Sequence, residues 1–160
     1  MRIAITASCV CLSAAALAQQ VLSPADEAAA FRAAGFTQVE GQWRACEDPG
    51  TASYSPGAMD QVADLNGDGR PEAIISESSS FCYGMQGSGY ALVSKQADGA
   101  WNLITSGSGI PSPLRTTGAG GWPDLEIGGP GFCFAVERWN GAAYAFNRYE
   151  YDGKACKPSE

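Results

Sequence analysis

From Phe36 to the end of the chain, Gly, Pro, Ser, Asp and Asn recur every few residues, and no apolar repeat at helical spacing survives between them. Such residues break a helix, whereas a strand needs only about four to eight residues between turns. The pattern predicts a mainly β, α+β fold of antiparallel hairpins forming a sandwich or barrel-like sheet. Strands are expected at Phe36–Glu40, Gln42–Cys46, Gln61–Asp64, Glu72–Glu77, Gly89–Gln96, Ala100–Thr105, Asp124–Ile127, Phe132–Trp139 and Ala142–Tyr151. Three joints, Glu40-Gly41, Asp98-Gly99 and Asn140-Gly141, place Gly after a polar residue and an aromatic shortly after, the signal of a tight hairpin. One helix precedes the strands, over about residues 24–35. Ser23 is its N-cap, Pro24 its first residue, Asp26 and Glu27 face the positive end of the dipole, and Gly35 ends it. A helix this short holds only by packing Phe31 on a partner, as a plug laid on a sheet.

With 160 residues the chain makes one ordinary domain. Its formal charge of −7 attracts neither phosphate backbones nor anionic lipid, so nucleic-acid and membrane-surface partners are not expected. Histidine is absent, which excludes Ser-His-Asp and Cys-His catalysis, His-ligated zinc and His-based pH switching.

Arg2 precedes a mostly apolar run from Ile3 to Leu17, and Ala16-Leu17-Ala18 has the small residues a signal peptidase recognises. Residues 1–18 are therefore read as an export signal, too short and too interrupted by Ser8 and Ser13 to remain as a membrane anchor. The remaining 19–160 form a single β-rich domain, periplasmic or secreted. Its four cysteines, Cys46, Cys82, Cys133 and Cys156, would face an oxidising compartment and form two disulfides. Chain proximity favours Cys46–Cys82 and Cys133–Cys156, the second pair bracketing the last hairpin.

One motif carries chemistry. In Asp64-Leu65-Asn66-Gly67-Asp68-Gly69-Arg70-Pro71-Glu72, oxygen-bearing side chains alternate and a glycine follows the third. Asp64, Asn66 and Asp68 can point inward, the backbone carbonyl of Arg70 falls next in line, and Glu72 closes the site. A hard cation such as calcium wants this oxygen-rich, irregular setting, the alternative being a turn rich in Asn-Gly and Asp-Gly that holds no ion. The loop is not a helix-loop-helix calcium hand, because the twelfth position is Ile75 and strands flank it. It resembles the strand-loop-strand calcium motif Asp-x-Asn/Asp-x-Asp-Gly-x-x-Glu/Asp of the FG-GAP and VCBS repeats of extracellular proteins. That resemblance covers about fifteen residues and implies calcium at Asp64, Asn66, Asp68 and Glu72 in a β-rich extracellular setting. The motif occurs once here, so the loop is carried over and the family's propeller is not. More broadly, the run Gly121–Cys133, followed by Arg138-Trp139-Asn140-Gly141, looks like small exported bacterial proteins, and it implies no catalytic residues.

The glycine-rich stretches 83–89 and 118–131 match neither a phosphate loop nor a dinucleotide loop and read as loops crossing a sheet edge. Asp124, Glu126, Glu137 and Glu150 are the carboxylates available for a glycosidase-like pair, with Asp124 and Glu126 sharing a strand face. Trp122, in a Gly/Pro loop, is the aromatic best placed for ligand contact, although packing over a barrel or sandwich end is its favoured reading. The leading expectation is an exported non-enzymatic β-domain with a structural calcium ion that binds a protein or glycan of the envelope or exterior. A carbohydrate-binding or glycan-cleaving module is one alternative, and an inhibitor or immunity protein against a secreted enzyme the other.

Overall fold

The computed structural model describes residues 20–158, so the export signal read at 1–18 lies outside the described residues. Helix α1 (Pro24–Ala33) begins as its sequence dictates. Ser23 Oγ accepts from the Asp26 N–H, and Pro24 takes the first position. At its other end Gly35 adopts φ +87°, Gly35 N–H donates to Arg32 O, and Phe36 N–H donates to Phe31 O. This is a Schellman ending, and Phe31 and Phe36 make the apolar contact that accompanies it, edge to face at 5.6 Å.

A two-residue turn with Glu40 and Gly41 both at positive φ joins β1 (Thr37–Val39) to β2 (Gln42–Arg44). The remaining strands run as an antiparallel meander in two sheets. The first contains β3 (Ser55–Ala63), β4 (Glu72–Ser78), β5 (Ser88–Lys95) and β6 (Trp101–Ser108), in that order. The second contains β7 (Ile110–Thr117), β8 (Pro123–Gly128), β9 (Phe134–Trp139), β10 (Tyr144–Tyr151) and β11 (Lys154–Ala155), with β7 and β11 at its edges. Only Gly109 separates β6 from β7. Its N–H donates to Ser88 O at 2.8 Å, so the chain turns directly from the edge of one sheet into the edge of the next.

Alternation along β4 and β5 divides the core. Ala73, Ile75 and Val93 face α1 and pack with Phe31, Phe36, Val62 and Trp101. Ile74 and Leu92 face the opposite way and pack with Leu125 of the second sheet, joined by Leu65, Ile104, Trp122, Ile127 and Tyr144. The first sheet is thus buried on both sides, which explains why Glu72–Ile75 is buried at four consecutive positions. Phe31 stacks on Trp43 at 4.9 Å, while Asp26 accepts from Lys95 Nζ at 2.7 Å and Trp101 Nε1 at 3.3 Å, so the helix is indeed laid on the sheet.

The cysteines pair as Cys46–Cys82 and Cys133–Cys156, with Cα separations of 6.2 and 5.7 Å. Two carboxylates organise the otherwise irregular segment around the first bridge. Buried Glu77 accepts from the N–H groups of Ala45 and Cys46 and from the hydroxyls of Tyr54 and Tyr83. Buried Asp48 accepts from the Gly50 and Thr51 N–H groups and from the Thr51 and Ser79 hydroxyls.

Several elements differ from the sequence expectation. The stretch after Gly35 is not wholly strands and turns, since Ser80–Tyr83 forms a short helix, α2, capped by Ser79 Oγ and continued by a 3-10 turn to Gln86. Strand β3 starts at Ser55 rather than Gln61, and β7 and β11 were not expected. Pro111 and Pro113 argue against a strand, yet β7 is a sheet edge, where alternate N–H groups point away from the ladder and a strand can hold proline.

Candidate metal centre and inter-sheet cleft

The Asp64–Glu72 segment is the connection between β3 and β4, whose register runs to Ala63↔Glu72. Its polar side chains fold the loop through its own backbone. Asp64 Oδ1 accepts from the Gly67 and Asp68 N–H groups, and Asp64 Oδ2 accepts from Gly69 N–H at 2.9 Å. Asn66 Oδ1 accepts from Asp68 N–H, and Asp68 Oδ1 accepts from Arg70 N–H, both at 2.9 Å. Gly67 and Gly69 supply the two left-handed residues that this winding requires, at φ +79° and +84°.

Glu72 lies beneath the loop, fully buried. It accepts from Leu65 N–H at 2.8 Å and Ser94 Oγ at 2.7 Å. Burial pushes its carboxyl upward, with the hydrogen bonds from Ser94 and Leu65 opposing that shift. Leu65 enters the inter-sheet core, and Gly121 lies against the loop so closely that a Cβ there would sit 2.5 Å from Asn66 O. The loop is therefore locked to both sheets.

The donor set fits a hard divalent cation in kind, because every side-chain ligand is an oxygen and the Arg70 carbonyl extends the series. Two groups stand among these oxygens. The Arg70 guanidinium pairs with Asp68 Oδ2, and Asn66 Nδ2 lies 3.4 Å from both Asp68 Oδ2 and Glu72 Oε1. Among the described residues no three His, Cys, Asp or Glu side chains are gathered into a ready ligand group.

The four carboxylates considered for catalysis do not form one pair. Asp124 and Glu126 share the outer face of the second sheet, with Glu150 beside them on β10, whereas Glu137 points to the inner face. Asp124 is fully buried and accepts from Arg138 Nε and Nη2, Arg148 Nη1 and Thr116 Oγ1. The Arg138 guanidinium, followed by Thr116 and Arg148, holds its carboxyl well below the usual carboxylate range despite burial. Glu150 is tied to Arg148 Nε at 2.6 Å. Burial, then the charges of Glu150 and Asp152, push Glu126 upward. The cluster is an ion-pair network that covers the buried Val136 on the same face.

Trp122 is half-buried. It packs on the inter-sheet core and against Trp139 at 5.6 Å and Tyr144 at 6.4 Å, closing one end of the sandwich. Sequence reasoning missed a cleft between the two sheets. A cavity of about 530 Å³ lies between β5–β6 and β8–β10, lined by Tyr90, Thr105, Gly107, Glu137, Tyr144 and Gln86 among others. Glu137 lines it from the inner face of the second sheet, in one row with Leu125 and Phe146 across the ladder. That signal is present in the sequence only once the register of β8, β9 and β10 is known.

No protein-family model, curated protein or solved structure matches this chain.

Proposed function

We propose that the protein is an exported, non-enzymatic β-domain that binds a protein or glycan ligand of the cell envelope or exterior and carries one structural calcium ion. The observation that carries this reading is the β3–β4 loop. It brings the oxygens of Asp64, Asn66, Asp68 and Glu72, with the Arg70 carbonyl, into nine residues between two paired strands. The resemblance of this segment to the FG-GAP and VCBS calcium loops supports the same assignment. Two disulfides fit an oxidising compartment, and the apolar run at residues 3–17 supports export to the periplasm or beyond. Commitment of both Asp124 oxygens to arginines and a threonine supports a structural rather than a catalytic use of that carboxylate.

Calorimetric titration of the chelator-stripped protein tests the ion. One site with Kd of about 10⁻⁴–10⁻³ M is expected, as in other extracellular modules, and it should weaken at least about tenfold in Asp64→Ala. Absence of saturable heat at these concentrations would remove calcium from the account.

A further inference from the structure

We propose that the cleft between the two sheets is a binding site for a primary alkylammonium group, with Glu137 as its counter-ion and the rings of Tyr90 and Tyr144 as its walls. This identifies the ligand chemistry of the binding role proposed above, and rests on that role but not on the calcium loop.

The cavity, about 530 Å³, has the size of a small-molecule site, and Glu137 is the one ionisable carboxylate among the residues that line it. None of the five ion pairs among the described residues includes Glu137. Its sequence neighbour Arg138 cannot neutralise it, because adjacent strand residues point to opposite faces and Arg138 is bound to Asp124 on the outer one. Arg148 and Lys95 are likewise committed, to Asp124 with Glu150 and to Asp26. A carboxylate thus faces an open cleft with no positive partner among the described residues.

The walls suit a cation. Tyr90 is buried, and burial followed by the charge on Glu137 pushes its hydroxyl up to about 12, so it stays a neutral ring and donor. Tyr144 donates to Pro123 O at 2.8 Å, which fixes its ring at the cleft edge. Aromatic faces beside a carboxylate attract an ammonium through the ring quadrupole as well as through the charge. Gly107 keeps the floor low opposite Tyr90, since a Cβ there would come within 3.2 Å of the ring. The hydroxyl of Thr105 is an acceptor in the same lining for a further ammonium proton.

The test is an NMR titration of the disulfide-bonded protein, in which signals of residues 64–72 report any competition by the acidic loop. Tyr90 and Tyr144 ring signals are followed while n-butylammonium, neutral n-butanol and N-acetyl-lysine amide are added. Butylammonium should shift both rings saturably, and butanol should bind at least about tenfold more weakly, because it lacks the charge. Lysine amide binding as well as butylammonium identifies the ligand as a partner's side chain; binding of butylammonium alone identifies a free amine. Glu137→Gln should weaken the amine at least about fivefold and leave butanol unchanged. Equal affinity for butanol, unchanged affinity in Glu137→Gln, or no saturation by about 20 mM amine overturns the proposal. If Glu137→Gln does not fold, the wild-type shift map decides, and shifts confined to residues 64–72 or to the outer sheet face overturn it. A ligand that binds on that outer face would leave the binding role standing while removing this site.

Discussion

Gly121 shows how one residue ties the candidate metal loop to the rest of the molecule. It sits at φ +80°, and a side chain would press on the carbonyl of Asn66 from 2.5 Å. Gly121→Ala should therefore cost about 1–3 kcal/mol, read as a lowered melting temperature, through backbone strain and displacement of the loop together. Asp48 carries a pH dependence. Burial pushes its carboxyl up, but hydrogen bonds from Ser79, Thr51 and Gly50 outweigh that and bring it to about 2, below the usual 3.8. A depressed carboxylate contributes stability that is complete above about pH 4 and is lost as pH falls toward 2. Wild type should lose melting temperature over that window, and Asp48→Asn should lose less of it while starting lower. None of this was legible in the sequence. Glu47-Asp48-Pro49-Gly50 announces a turn, but the partner hydroxyl of Ser79 lies 31 residues away. The alternating oxygens at 64, 66 and 68 were legible, because each caps backbone within a few residues of itself.

At the scale of elements, locality again separates what could be read from what could not. Helix α1 follows from Ser23, Pro24, Asp26 and Gly35, and all four act where the sequence places them. Its retention depends on Phe31, which is 2% exposed and is held by Phe36 and Trp43. Phe31→Ala should cost about 3–5 kcal/mol, a loss that chemical denaturation measures directly. Strand β7 escaped because its prolines signal a loop unless the strand is known to be an edge, which is a property of the whole sheet. Strand β11 is different. Asp152-Gly153 takes positive φ at both residues, 49° and 69°, and makes a two-residue turn of the kind read at Glu40-Gly41. The signal for this last hairpin was present and simply belonged with the other three.

For the whole molecule, the fold is a meander whose halves meet through one apolar layer, and covalent and ionic ties lie at its edges. The Cys46–Cys82 bridge closes 36 residues and Cys133–Cys156 closes 23, so loop-closure entropy assigns each about 3–4 kcal/mol. Reduction should lower the melting temperature by an amount consistent with losing several kcal/mol. The fold class was legible because hairpin turns are local signals. The cleft was not, since it exists only where Tyr90 of one sheet meets Glu137 and Tyr144 of the other. The Asp64–Glu72 loop joins the halves, as Leu65 enters the shared core and Gly121 seats against Asn66. An ion held there should stabilise the whole domain rather than the loop alone. Thermal melts of wild type and Asp68→Ala, each in chelator and in about 5 mM calcium, test this most directly. Calcium should stabilise wild type by about 1–2.3 kcal/mol, for Kd of 10⁻³–10⁻⁴ M, and Asp68→Ala by distinctly less. Melting curves that calcium leaves unmoved in both proteins would contradict the account and leave the loop as a turn held by its own hydrogen bonds.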